Sequence, residues 1–318
     1  MQESKLTELV ITSARTDEDI EALIAVRKIV SPGVRPTVAN LRHALSSSEA
    51  GLTFLVARVG GKPVGCGFVE LSSAGWAAGD VAVVPEQRGQ GIGSALLAEV
   101  AEQASTLGAE RMQFEVRKIE KASIAFLERR GFEAVGGEEA VSLVLDGETE
   151  PPIAPEGIEI HSRSERPDVA EGMFEVYVEA VPDVPGAPTG ESYESWRARE
   201  IDRPSRSPEL SFVAFAGDEV VGYAVIDVRG DEGHHGFTAV KPAWRRRGIA
   251  TALKQAQIEA ATSMNLTRLV TGSEERNVPM RTLNHRLGYR PEPEWSTVVM
   301  EGPTEYSRER GADEVPAR

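Results

Sequence analysis

One offset governs this chain: adding 157 to a residue number carries its first half onto its second. Pro85 lands on Pro242, Arg88 on Arg245, Gly91 on Gly248, Gly93 on Ala250 and Leu96 on Leu253. The same step takes Val56-Ala57 to Val213-Ala214, Val64-Gly65 to Val221-Gly222 and Gly131-Phe132 to Gly288-Tyr289. A constant, gap-free offset over that span marks a duplicated domain, not a short-period solenoid. At 318 residues the chain is long enough for two domains that each bury a core. The polar, proline-rich run from Gly147 to Gly157 reads as a linker between them. The expected division is therefore 1–147, a linker at 148–157, a second domain at 158–302 and a flexible polar tail at 303–318.

Within each half the hydrophobic patterning is the same. Alternating β-branched runs predict strands near Val10, Thr53–Val59, Pro63–Leu71, Val81–Val84, Met112–Val116 and Ala140–Leu145, with a hairpin turn at Gly60-Gly61. Apolar residues at helical spacing predict helices around Ile20–Ile24, Leu41–Leu45, the stretch after Gly91, and Ser123–Arg130. The order is β-α-α-β-β-β-α-β-α-β. In the second half Asn277 is a helix cap, Pro279 falls in the first turn and Gly288 ends that helix. Pro182 to Gly190 lengthens the connection between the first two helices there, and reads either as a substrate lid or as an ordinary proline-rich loop.

The most informative stretch of each half is strand, short turn, helix start. Arg88-Gly89-Gln90-Gly91-Ile92-Gly93-Ser94 and Arg245-Arg246-Arg247-Gly248-Ile249-Ala250-Thr251 share Arg-x-x-Gly-x-small. That geometry turns several backbone N–H groups toward one anion at a helix N-terminus. Neither stretch has the glycine spacing of a dinucleotide fingerprint or of a Walker loop. The pattern resembles the pyrophosphate loop of the GNAT acyl-CoA-dependent N-acetyltransferases, and the element order of each half resembles the GNAT fold. The resemblance implies an α/β (α+β) chain of two tandem GNAT domains, each a mixed central sheet flanked by helices. It implies acetyl-CoA as co-substrate and a primary amine of a small molecule or peptide as acceptor, attacked directly in a ternary complex. It implies that backbone N–H groups near Val83 and Val240 polarise the thioester carbonyl, and that Asn277 contacts the pantetheine arm. The tandem layout resembles that of mycothiol synthase, whose substrate pattern is not matched.

The proton-transfer residues are less determined. Phe114-Glu115-Val116-Arg117 with Gly131-Phe132 resembles the bacterial ribosomal-protein alanine N-acetyltransferases, in which such a Glu is the general base. Glu115 is equally readable as a solvated charge on an exposed strand face. The tyrosine of that family, which protonates the thiolate, is replaced here by Leu127, and in the second half by Asn284. His234 is a candidate base because an imidazole titrates near neutrality, although His234-His235 also reads as part of a polar turn. Glu274 and Glu275 are carboxylate alternatives. The second half, with Asn277 and the longer loop, is the expected catalytic one; the alternative is a non-catalytic acyl-CoA sensor or scaffold with degenerate sites.

Composition excludes other classes. The formal net charge is −15 with both halves acidic and no basic tail, which argues against nucleic acid as a partner. No apolar run reaches membrane-spanning length and the start lacks a signal-peptide pattern, so a cytoplasmic protein, monomer or homodimer, is expected. The single cysteine, Cys66, reads as a small buried filler, and the histidines have no zinc spacing, so no metal is expected.

Overall fold

The computed structural model describes residues 9–31, 37–47, 51–72, 74–147, 151–184 and 189–305. Residues 148–150 of the linker, 185–188 of the proline-rich loop and the tail beyond 305 lie outside that set. The first half runs β1 (Leu9–Ser13), α1 (Asp17–Val30), α2 (Val38–Ser47), β2 (Thr53–Val59), β3 (Lys62–Leu71), β4 (Ala77–Val83), α3 (Ile92–Thr106), β5 (Arg111–Arg117), α4 (Lys121–Glu128) and β6 (Glu133–Val144). The second repeats it as β7 (Glu159–Ser162), α5 (Ala170–Ala180), α6 (Tyr193–Glu200), β8 (Phe212–Ala216), β9 (Glu219–Arg229), β10 (Glu232–Val240), α7 (Ile249–Ser263), β11 (Arg268–Glu274) and α8 (Val278–Arg286). It closes with β12 (Arg290–Pro291) and β13 (Thr297–Pro303).

Local chemistry explains the element boundaries. Thr16 and Asp19 form a reciprocal capping box that starts α1, whose Ile20, Leu23, Ile24 and Val26 are buried. Asn277 accepts from the Met280 N–H and caps α8, with Pro279 in its first turn. Cys66 is fully buried, and burial pushes its thiol up to about 11.

The compact units are not the sequence repeats. Among the described residues, one unit holds the chain up to Val116, Glu120–Val135 and the residues from Val298; the other holds Arg117–Ile119 and Gly136–Thr297. Unit 1 has the strand order β1-β2-β3-β4-β5-β13, and unit 2 the order β6-β11-β10-β9-β8-β7, with β12 also on β6. Each sheet is therefore finished by a strand drawn from the other half of the sequence. Glu138 to Val144 of β6 pair antiparallel with Glu274 to Arg268 of β11 inside unit 2. β13 supplies unit 1 with Met300, 1% exposed in the core of Phe114, Phe132, Leu97 and Val100.

Gly302 sits against Phe132, where an added Cβ would come within 2.5 Å of the ring. Gly302→Val should therefore destabilise unit 1 by about 1–3 kcal/mol, although position 302 lies in the second half of the sequence. Thermal unfolding followed by near-ultraviolet dichroism checks this; an unchanged midpoint would contradict the strand assignment.

Candidate functional site

In both units two parallel strands begin as neighbours and then separate. β4 and β5 pair only from Ala77 with Met112 to Gly79 with Phe114. β10 and β11 pair only from Glu232 with Arg268 to His234 with Val270. Beyond those residues each pair opens into a fork. Strand register shows which groups line it. The Lys241 N–H bonds to Val221 O, so the neighbouring pair, Val240 with Gly222, is a non-hydrogen-bonded one. The N–H and C=O of Val240 thus point away from β9, into the fork. In unit 1 the Val84 N–H bonds to Val64 O and Val83 faces Gly65, which aims Val83 the same way.

A matched loop follows each of these valines. After a single 3-10 turn, Pro85–Gln87 or Pro242–Trp244, the chain reaches an arginine whose Nε returns to the valine carbonyl: Arg88 to Val83 O at 3.0 Å and Arg245 to Val240 O at 3.1 Å. The loop arginine is therefore a staple of the turn as well as a local charge. Gly91 (φ 84°) and Gly248 (φ 89°) then enter α3 and α7 in left-handed geometry, and neither helix start has a side-chain cap. The first intrahelical bonds are made by Ala95 and Ala252, so the N–H groups of Ile92, Gly93 and Ser94, and of Ile249, Ala250 and Thr251, are left for another acceptor. Gly89 has φ 73°, and Arg246 in the corresponding place holds φ 61°, a conformation costing a side chain about 1 kcal/mol or more. Keeping it in a non-glycine residue preserves the concave N–H array. A Cβ on Gly93 would meet only ordinary contacts, the nearest at 3.7 Å, which explains why Ala250 serves in the second loop.

Both mouths are cationic on an acidic protein. In unit 1 the Arg130 guanidinium lies 3.6 Å from the Phe126 ring centroid and donates to Ser94 Oγ at 2.8 Å. In unit 2 Arg246 is exposed, Arg247 stacks over Trp244 at 4.6 Å, and Arg245 also pairs with Asp183 at the start of the α5–α6 connection. Gln90 donates to Glu86 O and braces the first loop.

Comparison with known proteins agrees with this geometry. The profile of the Acetyltransferase (GNAT) family matches residues 25–132 and again 172–289. The chain belongs to the GNAT acetyltransferase family. Among solved structures it is similar to a GCN5-related N-acetyltransferase from Sphaerobacter thermophilus, with 20% identity, TM-score 0.72, and 93% of this chain and 96% of that one covered. A tandem GNAT protein from the clavulanic acid biosynthesis pathway gives 19% identity, TM-score 0.73 and coverage of 94% and 100%. The N-myristoyltransferase of Saccharomyces cerevisiae with bound myristoyl-CoA shares the fold at 11% identity, TM-score 0.67 and coverage of 93% and 79%. No curated protein matches the chain in sequence. No helix among the described residues is long and apolar enough to cross a membrane, and no cluster of three or more potential metal ligands occurs among them.

The candidate proton-transfer residues of this tandem GNAT protein fall on different faces. His234, the last β10 residue paired with β11, lies opposite Asp227, which Arg203, Ser205 and Arg206 contact. Its Nε2 is 3.4 Å from Glu232, and burial, then Arg229, holds its pKa below the ordinary imidazole value. His234 is thus neutral at neutral pH and able to accept a proton. Glu274 is bound by the Arg276 N–H and by its guanidinium, both at 2.6 Å. Glu275 pairs with Lys118. Glu115, just beyond the fork of unit 1, is exposed, while Asp80 at the base of that fork is taken up by Arg27. Asn284 is fully buried: its Nδ2 donates to Ser273 Oγ at 3.2 Å, and its Oδ1 has no hydrogen-bond partner among the described residues.

Around the His234 face, α5, α6 and β9–β10 enclose Phe174, Tyr177, Tyr193, Trp196, Tyr223 and Phe237, with ring centroids 5.3–6.3 Å apart. Trp196 Nε1, Tyr223 Oη, Glu200 Oε2 and two nitrogens of Arg206 are buried there without hydrogen-bond partners among the described residues. This wall went unread in the sequence because its members are scattered over four elements.

A second group was also missed. Register makes Gly79 the counterpart of His235: Gly79 pairs with Val69, and His235 with Ile226, 157 residues on. The offset shortens there because β10 carries a bulge between His235 and Thr238. Where unit 1 has Gly79, Leu97, Val100, Val116, Leu127 and Phe132, unit 2 has His235, Lys254, Gln257, Ser273, Asn284 and Tyr289. His235 Nε2 lies 2.6 Å from Tyr289 Oη, and Lys254 Nζ lies 5.4 Å from the Tyr289 ring centroid. Lys254 is 1% exposed and makes no ion pair among the described residues; burial alone lowers its pKa to about 7. Comparing the two halves position by position was the signal that would have found this group.

The buried lysine sets a pH-dependent stability. Its folded pKa lies below the unfolded 10.5, so the folded state binds fewer protons between pH 7 and 10.5, and stability from this group rises with pH across that window. Lys254→Leu, which installs the residue of unit 1, should raise stability by on the order of 3–5 kcal/mol below pH 7, shrinking toward zero near pH 10.5. Urea unfolding at pH 6.5 and pH 10 measures the difference; equal gains at both would refute the shift.

Proposed function

We propose that this protein is an acetyl-CoA-dependent N-acetyltransferase that acetylates a primary amine of a small molecule or peptide by direct attack in a ternary complex. The observation that carries the reading is the pairing, in each unit, of a strand fork with an uncapped helix start whose N–H groups and nearby arginines suit a pyrophosphate. Acetyl-CoA would supply the activated acyl group. In unit 2 the Gly248–Thr251 backbone and Arg245, Arg246 and Arg247 would hold its phosphates, with Asn277 toward the pantetheine arm. The Val240 N–H, aimed into the fork, would polarise the carbonyl as negative charge develops on its oxygen. His234, neutral and on the face lined by α5 and α6, would take the amine proton, directly or through water. Glu274 ranks behind it because Arg276 already binds its carboxylate.

Unit 2 is the proposed catalytic unit. In unit 1, Arg88, Gly89, Gln90, Gly91, Gly93 and Ser94 offer the same nest, with Val83 at the fork, but Phe114, Phe132 and Leu127 pack as hydrocarbon where unit 2 has His235, Tyr289 and Asn284. That favours a binding or structural role there, with Glu115 the remaining candidate base. A chain with two such units and no turnover would be an acyl-CoA sensor or scaffold.

Calorimetry with acetyl-CoA on the parent, Gly91→Glu and Gly248→Glu tests this, combined with thiol release over a panel of amines. Two equivalents should bind, each variant should lose one, and thiol release should vanish only with Gly248→Glu. Absence of binding in the parent would overturn the acetyltransferase reading; binding without thiol release would leave the sensor.

A further inference from the structure

We infer that Lys254 is the proton donor to the leaving thiolate in unit 2, a role that rests on the acetyltransferase reading above. The duplicated domain serves as an internal control. At the six positions that match this group unit 1 has only apolar side chains and a glycine, among them Leu97 and Leu127. Unit 2 places an amine, an imidazole, a phenol and two amides there, although burying each without full pairing costs stability. A polar set retained against that cost, beside one fork and absent from the other, points to chemistry in one copy only.

The members differ in what they can do. Asn284 stands where a tyrosine donor would, but an amide gives up no proton, and its Nδ2 is engaged by Ser273. Tyr289 is held well above its ordinary phenol value by burial, and its hydroxyl is occupied by His235. His235 is kept neutral by burial and by the Lys254 charge, effects that Gln257 partly offsets; its Nδ1 is buried without a hydrogen-bond partner among the described residues. Gln257 is fixed in turn by its Nε2 donating to Leu210 O at 3.1 Å. The titratable groups facing Lys254 are therefore His235 of β10 and Tyr289 after α8, with His234 one residue further; no carboxylate pairs with it among the described residues. Lys254 alone in this set is a cation able to exist in either form near neutrality.

The step balances. The acceptor amine, neutral on attack, forms the C–N bond and sheds one proton to His234. The C–S bond breaks with its electron pair going to sulfur, and Lys254 protonates that sulfur and becomes a neutral amine. One proton has then moved from nitrogen to sulfur by way of two side chains, and exchange with water restores both. Tyr289, Asn284 and Ser273 of this group line a cavity of about 370 Å³.

Lys254→Met in the full chain tests the assignment, with acetyl-CoA and the best amine of the panel. The variant should bind acetyl-CoA as the parent does, leave KM for the amine unchanged and lower kcat about 100-fold or more. In the parent, kcat should fall as pH rises through about 7, where Lys254 loses its proton, and that limb should be missing from the variant. Lys254→Leu, the residue of unit 1, replaces it if the methionine variant fails to fold. An NMR titration of labelled lysines, with Lys254 assigned by its loss in the variant, reads the same proton without turnover. Parent-like kcat, an unchanged alkaline limb, or a Lys254 that titrates above pH 10 would each overturn the inference while leaving the acetyltransferase reading intact. A parent that releases no thiol from acetyl-CoA with any amine would remove both.

Discussion

The separation of two parallel strands after three residue pairs is the constraint on which each unit depends. A continued ladder would consume the outward N–H and C=O of Val83 and Val240, and no opening would remain for a ligand. With the ladder broken, those groups face a cleft, the valine carbonyl receives the loop arginine, and the arginine holds the turn that aims a helix N-terminus at the same cleft. Strand, loop and helix are thus one device, built from unsatisfied backbone groups more than from side chains. That is why so short a pattern recurs in both halves while the flanking side chains have drifted.

The drift is uneven in an instructive way. The two nests keep their dihedral angles even where glycine became arginine, as at Gly89 and Arg246. The fork bases do not keep their chemistry: a T-shaped Phe114–Phe132 contact in unit 1 is replaced by His235 against Tyr289 in unit 2. Anion binding is a property of backbone geometry and survives substitution, whereas proton transfer is a property of particular side chains and does not. A duplicated chain can therefore retain two similar nests and yet differ between copies in what happens beside them.

Much of this was legible in the residues. The repeat, the element order, the two nests and the cap at Asn277 follow from periodicity, glycine placement and one arithmetic offset, because those signals are local or self-repeating. The bulge in β10 was not legible, and it hid the equivalence of His235 with Gly79 by shifting the offset one residue over a short stretch. Lys254 did not stand out, since burial of a lysine depends on neighbours distant in sequence, here His235 and Tyr289. The partition of the chain into compact units was equally hidden. The hydrophobic pattern of β6 and β13 says that each is a strand, but not which sheet receives it.

That last point reaches into how the molecule is made. Unit 1 takes its final strand from Thr297–Pro303, so its sheet stays incomplete until both halves of the repeat have left the ribosome. Its closing contacts, such as Met300 with the core around Phe132, span well over a hundred residues of sequence, and contacts of such high order form slowly. Until then β5 offers an unpaired edge, open to the matching strand of another nascent copy. The exchange that ties the two halves into one molecule thereby also makes their assembly depend on order and timing during synthesis, a burden that a chain of two self-contained domains would not carry.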